Sequence, residues 1–168
     1  MKIRIVLLGL LIAAGMSMNV KASGDVSRAE AMFIYNFLRH INWPETSSNT
    51  FVIGIYGNSE VYDQLQIIAK NRKVGTRPIS IRKIASPQDA GTCQLLFVPG
   101  YQIKNLNSLS SQLGNASCLV VGEKEGSNSK GSTIEFLVQD NKLKFRINEE
   151  RAHQQNLAFS RALLDMAI

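Results

Sequence analysis

The apolar positions that follow residue 27 predict a helix. Apolar side chains recur three and four positions apart, as on one face of a helix, at Ile34, Phe37, Leu38 and Ile41. Ser27 and Glu30 have the spacing of a capping box, which predicts that the helix begins near Ser27. Pro44 restricts the backbone of Trp43 before it, so we expect the helical segment to end there.

Short apolar runs then alternate with helical stretches. The runs are predicted strands, and they cover residues 51–56, 79–84, 95–98 and 118–122. Helical patterns follow the first run, after Ser59, and the third run, over residues 103–113. This alternation is typical of a parallel sheet with right-handed crossovers and helices on both faces.

The pattern changes near the C-terminus. Residues 133–138 and 142–147 are two strand-like runs on either side of a turn-rich connection, which predicts an antiparallel hairpin. Asn148 can cap one final helix, with Leu157 and Leu164 on its apolar face. The predicted fold class is therefore α/β: a mostly parallel twisted sheet covered by helices on both faces, with a C-terminal antiparallel hairpin and a final helix.

The first 22 residues have the layout of a secretory signal peptide. Lys2 and Arg4 precede an apolar run over residues 5–14, and Val20 and Ala22 place small or apolar residues three and one positions before a predicted cleavage site. An uncleaved membrane anchor is the alternative, but it needs roughly 20 continuous apolar residues and this run is interrupted earlier. The sequence therefore predicts a protein that works outside the cytoplasm after its signal peptide is cleaved.

Size and charge fit one ordinary secreted domain over residues 23–168, which is long enough to enclose a single hydrophobic core. The whole chain has 19 Lys and Arg and 13 Asp and Glu. Loss of Lys2, Arg4 and Lys21 with the signal peptide leaves 16 basic residues against the same 13 acidic ones. Aromatic residues do not alternate with the basic ones as a stacking platform requires, so no nucleic-acid partner is expected.

Cys93 and Cys118 are the only cysteines. An even number of cysteines in an oxidising compartment favours a disulfide. Each cysteine stands at the start of an apolar run, and if these runs are neighbouring parallel strands, both sulfurs lie near the same edge of the sheet. We predict a Cys93–Cys118 bridge, with two buried free thiols as the alternative.

Motifs that assemble a catalytic or metal site are missing from the sequence. It has no Gly-x-Ser-x-Gly elbow, no phosphate-binding glycine fingerprint and no Cys-x-x-Cys. His40 and His153 do not stand at metal-ligand spacing with another His, Cys or carboxylate. We therefore predict no catalytic residue, no metal and no cofactor, and a binding or regulatory role in place of an enzymatic one.

The densest polar group lies where the last strand meets the last helix. It consists of Arg146, Asn148, Glu149, Arg151 and His153. One interpretation is a site where a charged partner or ligand docks. The other is a helix cap beside a solvated edge. A polar segment, residues 123–131, follows a predicted strand and is interpreted as a flexible connector in preference to a site.

Three stretches carry motifs in a characteristic order. Residues 31–37 have an aromatic-Tyr-Asn-Phe helix sequence with a Trp-Pro stop at residues 43–44, and residues 93–97 have a Cys-x-x-Leu-Phe strand. Residues 145–148 read Phe-x-Ile-Asn and precede a Leu-rich segment. In these motifs the chain resembles the YfiR-like family of bacterial periplasmic proteins, over nearly all of residues 28–167.

The resemblance implies a periplasmic α/β protein, often a homodimer, that binds the periplasmic region of an inner-membrane diguanylate cyclase and represses it. Tyr35 and Trp43 are then candidate contact residues. Asn156 stands where the family usually has Gly, and Ser160 is followed by Arg161 where the family has paired serines. Members often carry further cysteines that this chain lacks, so a redox role built on two bridges is not implied.

A second hypothesis is a periplasmic module that binds a small ligand or a cell-wall fragment. Its pocket would be the junction from Arg146 to His153, where two arginines and a histidine suit an anionic or zwitterionic ligand.

Overall fold

The structure is a computed structural model, and it describes residues 23–168. The predicted signal peptide lies outside the described residues. The helices are α1 (Ser23–His40), α2 (Val61–Ala69), α3 (Pro87–Ala90), α4 (Leu106–Leu113), α5 (Glu149–Gln154) and α6 (Arg161–Met166), with 3-10 helices at Gly100–Asn105 and Asn128–Lys130. The strands are β1 (Ile41–Asn42), β2 (Phe51–Tyr56), β3 (Lys73–Val74), β4 (Arg77–Ile84), β5 (Leu95–Val98), β6 (Leu119–Gly122), β7 (Ile134–Gln139), β8 (Lys142–Ile147) and β9 (Ala158–Phe159).

Seven strands form one sheet in the order β3-β4-β2-β5-β6-β7-β8. The five strands from β4 to β7 are parallel to one another, and β3 and β8 are antiparallel strands at the two edges. β1 and β9 pair separately as a two-stranded antiparallel ladder. The predicted fold class, including the C-terminal hairpin, is confirmed.

Helices cover both faces of the sheet because the strands are apolar on both sides. One apolar layer contains Phe51, Phe97 and Phe136 from the strands, packed against α1, α2, α5 and α6. The other contains Leu96 and Val120, packed against α3 and α4. A parallel sheet that is buried in this way needs near-continuous apolar strands, as in β5 and β6, whose residues are all buried.

The first helix differs from its prediction at the N-terminal end. α1 is already helical at Ser23, the first described residue, so Ser27 lies inside the helix and does not cap it. The Ser27 hydroxyl instead donates to Glu60 Oε2 at the start of α2, at 3.1 Å. The predicted apolar face is confirmed for Ile34, Phe37 and Leu38, which are buried in the core. Ile41 is buried as well but belongs to β1, because α1 ends at His40 and not at the predicted stop at Pro44.

The predicted final helix is present as α6, but the expectation that one helix runs from Asn148 to the C-terminus is wrong. Asn156 has φ of 55°, a left-handed backbone that a helix cannot continue through, and α5 therefore ends before it. The chain then forms β9 against β1, and Ser160 begins a second helix by accepting a hydrogen bond from the Leu163 N–H at 3.2 Å.

The predicted hairpin turn and helix cap are both present. Asp140 and Asn141 have φ of 52° and 59°, which a two-residue turn between twisted antiparallel strands requires. The Asn148 side chain accepts a hydrogen bond from the Arg151 N–H at 2.9 Å and so caps α5.

The polar segment 123–131 is held in place, in contrast to the flexible connector that the sequence suggested. Ser127 is fully buried, and the Asn128 N–H donates to Glu135 Oε2 at 3.0 Å. The segment therefore packs on the sheet through hydrogen bonds to polar groups that the strand pattern does not reveal. Within residues 23–168, no helix combines the length and apolarity that crossing a membrane requires.

Candidate functional site

Most of the polar group predicted from the sequence, from Asn148 to His153, lies toward the amino edge of the parallel strands. Arg146 does not, because it lies opposite Glu135, which is level with Gly122 at the carboxyl end of β6. β8 runs antiparallel to β7, so its last residue, Ile147, lies opposite Ile134, the first residue of β7. α5 follows directly and is held toward the amino edge. Ligands of open α/β sheets usually bind at the opposite edge, beyond the carboxyl ends of the strands.

Arg146 is engaged by two carboxylates. It lies opposite Glu135 in the β7–β8 register, and its Nη1 donates to Glu135 Oε1 at 3.2 Å and to Glu125 Oε1 at 2.8 Å. These hydrogen bonds raise the pKa of Arg146 above its ordinary value, and the bond to Glu125 has the larger effect. Because Glu135 is buried, the pairing compensates a charge that is otherwise costly inside the protein. Arg146 therefore joins the hairpin to the segment after β6.

Arg151 makes contacts on a different element. Its Nη2 donates to the Gly114 carbonyl at 2.9 Å and to the Ser110 carbonyl at 3.4 Å, at the C-terminal end of α4. The Ser110 carbonyl also accepts from the Gly114 N–H, whereas the Gly114 carbonyl lies beyond the last turn of α4 and gains a donor from the guanidinium. Its Nη1 donates to Gln154 Oε1 at 3.3 Å. Arg146 and Arg151 are thus directed to separate places, and the structure does not bring them together around a ligand.

Glu149 and His153 do share a cavity. It has a volume of about 160 Å³, and its remaining walls are largely apolar, with Leu157 and Phe159 among them. Ligand pockets in proteins commonly enclose about 300 Å³ or more, so this cavity suits a small molecule or one side chain. A carboxylate and an imidazole are the polar groups available in it.

Tyr35 and Trp43 lie in different surroundings. The Trp43 indole N–H donates to the Leu38 carbonyl at 3.1 Å, and its ring meets the Phe51 ring edge-on with centroids 4.8 Å apart. Trp43 is therefore held against the core by its own helix end. Tyr35 lies under the Arg72 guanidinium, which is 5.7 Å from its ring centroid.

Tyr35 also lines a groove of about 350 Å³ between α1 and α2. Two large apolar side chains in this groove are exposed, Met32 to 48% and Ile67 to 60%. We call this surface the α1–α2 groove.

The predicted disulfide is not formed: Cys93 and Cys118 are both free and buried. The strand register explains the difference. Leu95 lies opposite Leu119, so Cys93 precedes its strand by two residues and Cys118 precedes its strand by one. The residue beside the start of β6 is Gln94, whose carbonyl accepts from the Leu119 N–H at 2.8 Å. Both thiols belong to the apolar layer under α4, and burial raises the pKa of each.

Sequence reasoning missed Glu30 as a chemical group. Its side chain is only 3% exposed, and burial, followed by the nearby charge of Glu123, raises its pKa to about 8. The capping-box interpretation placed this carboxylate at a solvated helix end. The spacing of Glu30 could have indicated its burial. Glu30 stands four positions before Ile34 and seven before Phe37, so it lies on the face of the helix that packs on the core. Across residues 23–168, no three His, Cys, Asp or Glu side chains are arranged to hold a metal ion.

Comparison with known protein families gives a match. The profile of a family described as YfiR/HmsC-like matches residues 27–168, which is nearly all of the described chain. A search of curated proteins gives no significant match. The family match covers the α1 motif, the β5 strand and the strand exit at Asn148, the same stretches that carried the resemblance. The chain belongs to the YfiR/HmsC-like family.

Proposed function

We propose that this protein is a periplasmic regulator that binds the periplasmic region of an inner-membrane diguanylate cyclase and represses it. The observation that carries the proposal is the family match over residues 27–168, because the YfiR/HmsC-like family is regulatory and periplasmic. Repression across a membrane requires that the regulator bind the inactive conformation of the cyclase more tightly than the active one. Cyclic di-GMP is then made in the cytoplasm and does not contact this protein.

The polar contacts of the fold support a binding role. Arg146, Asn148 and Arg151 hold elements of the protein to one another through their side chains. Groups engaged in this way are unsuited to act as a general acid or base, because catalysis needs a side chain that reaches a substrate.

The surface that we assign to the cyclase is the α1–α2 groove. Met32 and Ile67 expose about half or more of their side chains there, and Tyr35 and Arg72 add an aromatic ring and a cation. Aromatic, Met and Arg side chains are enriched in protein interfaces, and an apolar patch with a polar rim is typical of a docking surface. The homodimer that the family resemblance implies is the competing occupant of this groove.

The test is repression of the cyclase in proteoliposomes, with cyclic di-GMP production as the measurement. We expect the wild-type protein to lower production, and the double variant Met32→Glu, Ile67→Glu to lose at least tenfold in apparent affinity, since two carboxylates are placed in an apolar contact. Met166→Glu is a matched control, because Met166 is 50% exposed on α6. Unchanged production at saturating wild-type protein contradicts the function.

The variants also test the surface and its occupant. Loss of repression with Met166→Glu, and not with the double variant, would place the cyclase on the surface around α6. Sedimentation of the same proteins shows whether the double substitution disperses a dimer, which would assign the α1–α2 groove to a second copy of the chain.

A binding module for a small ligand or a wall fragment is the second candidate, favoured by the cavity at Glu149 and His153. The anionic ligand expected from the sequence depended on two arginines that bond elsewhere in the structure. A carboxylate beside an imidazole is better suited to a zwitterionic or cationic molecule. Thermal-shift screening of amino acids, small acids and wall fragments tests this candidate, and a flat response across the set counts against it.

A further inference from the structure

A second cavity lies at the carboxyl edge of the sheet, where open α/β folds place their ligands. Its volume is about 350 Å³. Its walls come from the first turns of α1, from the segment that follows β6, and from the β7–β8 hairpin. The hairpin forms a wall because β7 extends past the end of β6: Gly122, the last residue of β6, lies opposite Glu135, the second residue of β7.

Most of the cavity wall is apolar. Val26 from α1 and Leu137, Val138 and Leu143 from the hairpin supply this surface, and Val138 is 57% exposed. Together they can cover the hydrocarbon part of a ligand and remove it from water.

The polar groups of the cavity are carboxylates. Glu30 lines it while being only 3% exposed, and its side chain has no hydrogen-bond donor or cation as a partner among residues 23–168. Glu123 beside it accepts a hydrogen bond from the Gly100 N–H. A buried carboxylate without a partner is costly, and a second carboxylate next to it increases that cost.

The other charged groups around the cavity do not neutralise Glu30. Lys124 and Glu125 line it with Glu123, and Glu125 is already paired with Arg146. Within the described chain, Lys124 forms no ion pair with Glu30 or with Glu123. Glu60, at the start of α2, accepts a hydrogen bond from the hydroxyl of Ser27, which lies one helical turn before Glu30 in α1. Within residues 23–168, Glu30 is therefore a buried acid to which no cation is bonded.

We propose that this cavity binds a small organic cation, with its ammonium group between Glu30 and Glu123 and its hydrocarbon part against the hairpin. A cation supplies the donor and the charge that Glu30 lacks, and a ligand with an apolar body uses the remaining walls. The cavity differs in position and chemistry from the α1–α2 groove, so the proposal stands independently of cyclase repression.

Binding of an ammonium ligand releases a proton. Burial and Glu123 raise the pKa of Glu30 to about 8, so the empty site holds a proton on this carboxyl at pH 7. The bound ammonium favours the carboxylate, and the proton passes to the buffer. Close to one proton is therefore released for each cation bound, and the affinity rises as the pH increases from 6 to 8.

The experiment is calorimetric titration of the secreted protein with n-hexylamine at pH 7, in buffers of different ionisation enthalpy, with n-hexanol and hexanoate as comparison ligands. We expect one hexylamine site, proton release close to one, and binding of hexanol and hexanoate at least tenfold weaker. Equal binding of hexanol, or no binding of hexylamine at millimolar concentration, overturns the proposal.

Variants assign the binding to the two carboxylates. Glu30→Gln keeps the shape of the side chain and removes its charge, so we expect at least a tenfold loss of affinity and no proton release. Glu123→Gln keeps an acceptor for Gly100 and should also weaken binding. Glu45→Gln is the control, because Glu45 is an exposed carboxylate after β1 and its loss should change neither quantity. Proton release that persists in folded Glu30→Gln contradicts the assignment.

Discussion

Glu30 is a residue whose burial lowers the stability of the fold that surrounds it. It occupies the core-facing stripe of α1, where its neighbours on the same face are apolar and fully buried. Burial favours the neutral form of a carboxyl group, and the negative Glu123 favours it further. The same position that costs stability gives the carboxyl edge a buried acid that forms no ion pair within residues 23–168, so Glu30 is better understood as part of a site than as part of the core.

The stability of the protein should therefore fall as the pH rises. The unfolded chain releases the Glu30 proton near pH 4.5, while the folded protein keeps it until about pH 8. Between these values the unfolded state binds fewer protons, and the free energy of unfolding decreases by up to about 1.4 kcal/mol per pH unit. We expect Glu30→Gln to be the more stable protein at pH 7.5 and to have a flatter pH profile in urea unfolding.

Glu45→Gln provides the comparison for this profile, since Glu45 is exposed. Its unfolding curves should follow those of the wild type at every pH. A wild-type profile parallel to that of Glu30→Gln between pH 5 and pH 8 would show that Glu30 ionises in the folded protein as it does in the unfolded chain.

At the scale of elements, the decisive feature is the interruption of the C-terminal helix. The Leu157 N–H reaches back to the Ala152 carbonyl at 3.0 Å around the left-handed Asn156, which closes α5. The chain can then place β9 against β1 and donate the Ser160 N–H to the His40 carbonyl at 2.8 Å. A continuous helix would lose this ladder between the end of α1 and the C-terminal segment.

Substitution of Asn156 tests this interpretation. Gly adopts the left-handed backbone without steric cost, so Asn156→Gly should leave the stability nearly unchanged. Val has a branched Cβ that is strained there, so Asn156→Val should lower the free energy of unfolding by about 1–2 kcal/mol. Asn107→Val is the control, because Asn107 is exposed within α4. Equal losses at the two positions in urea unfolding would contradict a special role for Asn156.

At the scale of the whole molecule, the two apolar layers share one sheet. Leu163 of α6 is fully buried on one face and Leu109 of α4 is fully buried on the other. The central strands contribute alternate side chains to the two layers. Loss of packing on one face of the sheet therefore also destabilises the strands that support the layer on the other face. We therefore predict that residues 23–168 unfold as one cooperative unit, in agreement with a single domain.

This prediction is checked with two probes. Fluorescence of Trp43, the only tryptophan, reports on the α1 face, and far-UV circular dichroism reports on all helices. Leu109→Ala and Leu163→Ala should each lower the free energy of unfolding by about 2–5 kcal/mol and should shift both signals together. Leu164→Ala is a control at a half-buried neighbour, with a smaller loss expected. A Trp43 transition that is unmoved by Leu109→Ala would reveal two separate units.

The sequence by itself determined the elements whose causes are local. The apolar runs predicted β2 and β5 with their observed bounds, because a buried strand needs apolar side chains on consecutive positions. β8 was predicted with its observed bounds as the second strand of a hairpin after a turn-rich connection. The turn before β8 and the cap at Asn148 were predictable for the same reason, since their hydrogen bonds join residues close in the chain. The motifs spread over these elements also indicated the family that the comparison confirmed.

Only the tertiary structure decided the contacts between distant residues. The register of β5 and β6 left Cys93 and Cys118 unbridged, and the antiparallel return of β8 paired Arg146 with Glu135. The packing of α1 on the hairpin end of the sheet turned Glu30 from an expected cap into a buried acid. These outcomes depend on strand offset and helix placement, and a shift of one residue changes which side chains meet while leaving the local pattern intact.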